Sequence, residues 1–250
     1  MHPILFRIGN ITIYSYGFMI AVGILSAVII SMYRARRVGI SDDVVLDIAI
    51  FGVLGGVIGA KLLFIIAEAP YVIKNPVVLK DMIKGGFVVY GGLIGGVLAA
   101  YIYCRKKKVD FLKMFDVAAP AIAVAQGLGR IGCFSAGCCY GKETTSPFGV
   151  VFKNSPFAPN GVRLIPTQLI SSLGNFLIAA VLFYFSKKAK HNGQVAGLYM
   201  ILYSVGRFIV EFLRDDPRGN VLFLSTSQFI CIFVFIIGVF VYNIHKLKRS

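Results

Sequence analysis

Charge is what this sequence has least of. Only 15% of its 250 residues are Asp, Glu, Lys or Arg, against about 25% in an ordinary soluble domain, while 57% fall in the hydrophobic set. The shortfall is concentrated in apolar blocks, each about long enough to span some 30 Å of hydrocarbon. That excludes reading the length as a count of soluble domains. No early basic stretch precedes a short apolar core and a small-residue cleavage site, so the first block is expected to be a retained span. Cysteines are few, at Cys104, Cys133, Cys138, Cys139 and Cys231. Two lie in or beside expected spans and three lie close together, which is not the pattern of a disulfide-rich secreted framework. No internal repeat or low-complexity tract stands out.

Acidic residues are the scarcer charge, 11 against 26 basic ones. In a soluble protein that balance would suggest nucleic acid, but here the basic residues flank the apolar blocks, and no nucleic-acid partner is expected. Arg34, Arg36 and Arg37 follow the first block; Arg105 to Lys108 and Lys113 follow the third. Lys187, Lys188 and Lys190 follow the fifth, and Lys246, Lys248 and Arg249 follow the last. Clusters in short alternate loops are a topology signal, placing the N-terminus outside and the C-terminus in the cytoplasm.

The expected fold is an all-α integral membrane protein of seven transmembrane helices forming one domain over residues 1–250, with an extracytoplasmic loop or head inserted at 133–166. The spans are expected near 14–33, 44–67, 85–104, 114–132, 168–186, 194–213 and 225–244. A loop holding Pro70, Pro76 and Lys84 separates the second from the third. The insertion is punctuated by Pro147, Pro156, Pro159, Asn160, Gly161 and Pro166 around a short alternation at Phe148 to Phe152, the mark of a small hairpin. Gly55, Gly56 and Gly59 in the second block, and Gly91, Gly92, Gly95 and Gly96 in the third, read as faces for close helix packing. Neither has the strand, helix and Lys context of a phosphate loop.

Some polar side chains fall where charge is costly. Lys61, Arg130, Arg207 and Glu211 lie inside or at the ends of apolar blocks, where they must snorkel, pair or line a polar cavity. With Tyr16 and Tyr90 they sit at similar depth on five helices. Tyr203, Arg207, Glu211 and Arg214 recur at helical spacing and would share one face. An Arg207–Glu211 pair with Arg214 snorkelling would account for them. With Arg130 added, one acid cannot neutralise the cluster, and a lipid phosphate becomes the economical anion, held by two forked guanidiniums. For Cys133, Cys138 and Cys139, a redox or metal role, a disulfide and plain packing stay open. The spacing is not CxxC and no His lies in the segment, a weak signal for zinc. No cofactor and no metal are expected.

The stretches ITIYSYGFMIAVG, GGVIGAKLLF, GGFVVYGGLIGG, GRIGCFSAGCCYG, IPTQL, YSVGRFIVEFLRDD and LSTSQ, in that order, resemble the prolipoprotein diacylglyceryl transferase family over nearly the whole chain. The resemblance implies a plasma-membrane enzyme that moves diacylglycerol from phosphatidylglycerol to the thiol of a lipobox cysteine in a prolipoprotein, releasing glycerol phosphate. Its expected partners are phosphatidylglycerol, the lipobox segment and membrane lipids. By resemblance Tyr16, Arg130, Gly141, Tyr203, Arg207 and Glu211 match the family's functional positions. Tyr90 stands where the family has a histidine considered as a base, and Cys133, Ala136 and Cys138 replace its Asn, Asn and Glu. The implied catalytic set is Tyr90, Arg130, Arg207 and Glu211. Tyr16, Lys61, Gly141, Tyr203 and Arg214 join the two arginines in binding substrate. A related headgroup or alkyl transferase with another acceptor, and a non-catalytic lipid-binding membrane protein, are the alternative readings.

Overall fold

Backbone N–H and C=O groups in hydrocarbon must pair within their own segment, so long apolar blocks fold as helices. A computed structural model describes residues 3–9, 11–69, 86–216, 219–221 and 223–247. Among them are seven helices: α1 Ser15–Arg37, α2 Asp42–Ala67, α3 Val89–Lys106, α4 Phe111–Ala136, α5 Thr167–Phe185, α6 Gln194–Glu211 and α7 Thr226–Leu247. The loop with Pro70, Pro76 and Lys84, the expected first residue of the third span, Gly85, and the tail residues Lys248 and Arg249 lie outside the described residues.

The chain is an integral membrane protein, and five of the helices, α1, α2, α4, α5 and α7, are long and apolar enough to cross a bilayer. The other two are diluted by charge: α3 ends in Arg105 and Lys106, and α6 carries Arg207 and Glu211 within 18 residues. Large apolar side chains such as Leu25, Ile58, Leu93, Leu173 and Phe240 are exposed, as lipid-facing surfaces require. Charge also matches the helix dipoles. Arg34, Arg36 and Arg37 close α1, and Asp42 and Asp43 open α2.

Short strands accompany the helices. β1 (Ile4–Ile8) pairs antiparallel with β2 (Ile11–Tyr14), a hairpin leading straight into α1 that hydropathy did not reveal. β3 (Val150–Val151) pairs with β4 (Arg163–Leu164) in the insertion, where a hairpin was expected. β5 (Asn220–Val221) pairs with β6 (Leu224–Ser225) before α7. α4 continues to Ala136, past the expected end of the fourth span near 132, and stops where Gly137 takes φ 75°. Glycine adopts this left-handed helix-ending conformation without a Cβ penalty. Phe152, Ala158 and Leu164 form the buried centre of the insertion, with Phe134 of α4 packed edge-on against Phe152.

The chain divides into two compact units, residues 32–114 and residues 1–31 with 115–250. In the first, α2 and α3 run antiparallel with Gly52, Gly55, Gly56 and Gly59 facing Gly96, Gly95, Gly92 and Gly91. A Cβ added at Gly55 would lie 2.6 Å from Ala99 Cβ and 2.7 Å from Gly95 O, so the glycines are a packing face. The Tyr103 hydroxyl donates to Asp47, and its ring stacks on Phe51. In the second unit, Ala119 and Ala123 of α4, Ala179 and Leu182 of α5, and Val195 and Tyr199 of α6 form a buried cluster. Gly197 and Gly238 bring α6 and α7 together: a Cβ on Gly197 would meet Gly238 O at 2.8 Å.

Candidate active site

Two guanidiniums reach one place because α4 and α6 are tied at their opposite ends from it. Asp116 of α4 accepts hydrogen bonds from Gly193 N and Ala196 N, both at 2.7 Å, at the start of α6. A carboxylate on the first N–H groups of a helix satisfies orphan donors and favours the positive end of the dipole. Arg130 lies 14 residues beyond Asp116, and Arg207 14 beyond Gly193. At 1.5 Å per residue both stand about 21 Å from the tie, so parallel helices deliver them to the same level. α5 is fastened alongside by Ser172 Oγ, which donates to Gly127 O at 2.9 Å. The Phe176 ring covers Gly127, where an added Cβ would lie 2.8 Å from it.

Between these helices opens a small cleft. Its polar lining is Arg130 of α4, Ser171 and Asn175 of α5, and Tyr203 and Arg207 of α6; Ile170, Ile178 and Val210 supply apolar wall. Gly174 and Gly206 also line it, and a Cβ on either would meet nothing within 4 Å. Arg207 Nη1 lies 2.7 Å from Glu211 Oε2, an ion pair between side chains only 12% and 5% exposed. Arg207 Nη2 donates to Ser227 Oγ of α7 at 3.1 Å. The guanidinium is thus oriented from two sides. Nη1 makes the ion pair without a hydrogen bond along it. Tyr203 stacks on Tyr199 at 5.9 Å and sets its hydroxyl against the Arg130 side chain. Asn175 Nδ2 donates to Ser171 O, leaving Oδ1 buried without a hydrogen-bond partner among the described residues.

The remaining sequence-chosen residues take different positions. Tyr16 of α1 is near Arg130 and the three cysteines; Gly132 admits it, since an added Cβ would lie 3.3 Å from Tyr16 Cα. Gly141 is gripped by backbone: an added Cβ would approach Ile165 O at 2.7 Å and Leu213 O at 2.8 Å. Arg214 corrects the expectation of a shared α6 face. The helix ends at Glu211, and Arg214 is instead bridged to Gly141 and clasped by Asp216 through Nε at 3.0 Å and Nη2 at 2.9 Å. Burial pushes the Asp216 carboxyl up despite that partner. Lys61 and Tyr90 belong to the other unit. There Lys61 Nζ donates to Gly86 O at 3.2 Å and lies over the Phe64 and Phe87 rings. Asp116, Ser171, Asn175 and Ser227 were not singled out from sequence. Asp116 had a signal, an acid inside an apolar block; single Ser and Asn residues carried none.

The three cysteine sulfurs of the signature lie within 4.8 Å of one another, and all are free. Hydrogen bonds with the Cys133 and Cys138 thiols, aided by nearby Arg214 and Arg130, draw the Cys139 thiol below its ordinary range. The same thiol contacts push Cys138 up.

A family model described as prolipoprotein diacylglyceryl transferase matches residues 3–244. A phosphatidylglycerol-prolipoprotein diacylglyceryl transferase of Clostridium tetani is 53% identical over 250 residues, covering 100% of both chains. One of Clostridium perfringens is 46% identical over 248 residues, covering 99% of this chain and 97% of its own. Another, of Finegoldia magna, is 37% identical over 240 residues, covering 96% and 94%. An arginine-lined cleft between α4, α5 and α6 and similarity along the whole chain lead to one conclusion: this chain belongs to the prolipoprotein diacylglyceryl transferase family.

Proposed function

We propose that the protein transfers diacylglycerol from phosphatidylglycerol to the thiol of a lipobox cysteine in a prolipoprotein. The observation that carries the reading is the cleft in which Arg130, Tyr203 and Arg207 converge, with Glu211 paired to Arg207. Such a site has donors and positive charge for a phosphate. The buried Asn175 Oδ1 is an acceptor suited to a glycerol hydroxyl. The acyl chains stay in lipid while the head enters the cleft.

In the reaction the acceptor thiol loses its proton and its sulfur attacks the glycerol carbon bearing the phosphate. The carbon–oxygen bond breaks, a thioether forms, and glycerol phosphate departs. Arg130 and Arg207 stabilise the charge that collects on the leaving oxygen; Glu211 and Ser227 orient Arg207. Tyr16 and Tyr203 hydrogen-bond the headgroup. Tyr90, at the position of the family's histidine, is the proton-transfer residue of this reading. Lys61 is a further cation of this reading, and Gly141 and Arg214 shape the loop beside the headgroup.

The same reading has seven crossings, an N-terminus outside and a cytoplasmic C-terminus, with the insertion facing outward. A thiol probe placed at Asn154 then reacts from outside, and a cytosolic reporter fused after residue 250 is active. Reaction of a C-terminal probe from outside would overturn that topology.

The decisive experiment incubates purified protein with phosphatidylglycerol and a lipobox peptide and weighs the peptide. A mass gain of one diacylglyceryl group that needs both the peptide cysteine and Arg207 supports the assignment. Tight binding of phosphatidylglycerol with no transfer to any lipobox peptide would overturn it in favour of a lipid-binding role.

A further inference from the structure

Cys133, Cys138 and Cys139 are brought together by built structure. Cys133 sits on the last turn of α4, and Gly137 ends the helix so that the chain folds back over it. Cys139 then adopts φ 61°, left-handed backbone that a non-glycine residue enters only when its surroundings hold it there. Those surroundings are specific: Gln168 Nε2 donates to Cys138 O at 2.7 Å, and Thr167 Oγ1 donates to Cys139 O at 2.8 Å. Gln168 and Thr167 are each 1% exposed. The two peptides that aim Cys138 and Cys139 are therefore fixed by the buried start of α5.

The result is a triangle of sulfurs with no side longer than 4.8 Å. A cation at its centre would lie within about 2.8 Å of each sulfur, so a contraction of about half an ångström brings each to a zinc–thiolate bond of ~2.3 Å. We propose that the three thiols form a binding site for one soft d10 cation of the Zn²⁺ or Cu⁺ class. Each thiol gives up its proton as its sulfur binds the metal, with no change of oxidation state, and a fourth position stays open to water. Three thiolates on a divalent ion leave one negative charge, which Arg130 and Arg214, both electrostatic neighbours of Cys139, balance. Because Cys133 follows Arg130 by one helical turn, the metal ties down the end of α4 that presents that arginine.

The test uses the full chain, purified in detergent under reducing, chelated conditions and titrated with Cd²⁺. One equivalent should raise sulfur-to-metal charge-transfer absorption and protect Cys138 and Cys139 from alkylation, with Cys104 and Cys231 unaffected by mass spectrometry. Zn²⁺ should compete. Cys138→Ser and Cys139→Ser should each weaken binding at least about tenfold. The site is overturned if the unmodified chain shows no such absorption, if the absorption appears without protection of that pair, or if either variant binds Cd²⁺ as tightly as the parent. It is equally overturned if two of the three thiols are joined in a disulfide and, once reduced, bind no Cd²⁺.

Discussion

The α2–α3 pair and the α4–α5–α6 group solve the same packing problem in opposite ways. α2 and α3 meet through opposed glycines with backbone against backbone. Small residues let dispersion forces act at close range, which matters where lipid tails remove any hydrophobic drive between helices. α4, α5 and α6 are held by polar ties, Asp116 to the start of α6 and Ser172 to Gly127 O, and a cleft opens between them. Close glycine contact makes a joint, whereas side-chain ties at a distance make a site.

The contrast is broken most sharply at Arg207. Arg207→Lys keeps the charge and loses the planar fork, so transfer to a lipobox peptide should fall about 100- to 1000-fold, on the order of 3 kcal/mol of transition-state stabilisation. The assay is the rate per molecule at matched membrane abundance; an unchanged rate would remove Arg207 from the chemistry. In the glycine joint the damage should instead be to folding. Gly55→Leu drives a side chain into Ala99 and the Gly95 carbonyl and should cost about 1–3 kcal/mol of stability, read as a lower melting temperature in detergent.

A glycine of the cleft should behave the other way. Gly206→Val adds volume where a Cβ meets nothing, so melting should stay near that of the parent while transfer falls about tenfold, or ~1.4 kcal/mol in barrier. Equal loss of stability at Gly206 and Gly55 would erase the distinction between joint and site. The smallest effect is expected at the tie itself. Asp116→Asn keeps the shape but weakens two charge-assisted hydrogen bonds, lowering stability by about 1 kcal/mol. Transfer should drop only as far as the relative placement of Arg130 and Arg207 loosens.

Legibility followed the range of each signal. The helices were readable because apolar length is local and each backbone in lipid must satisfy itself. The α2–α3 joint was readable because glycine spacing repeats along single helices. Arg130, Arg207 and Glu211 announced themselves because charge inside an apolar block needs a reason. Arg214 was misplaced because spacing alone cannot say where a helix stops; α6 ended three residues before it. Asn175 and Ser227 gave no sign, since one Asn or Ser is unremarkable until another helix turns it toward a guanidinium or a cleft.

The sequence by itself determined that this chain lives in a membrane, where its helices run, and which buried charges would require partners, because these depend on composition and on neighbours a few residues apart. The tertiary structure alone decided which partners they found. Arg207 meeting Ser227, Gln168 and Thr167 aiming two cysteines at a third, and a cleft opening beside Arg130 all join residues far apart in the chain. Such contacts exist only once packed helices have fixed distance and direction.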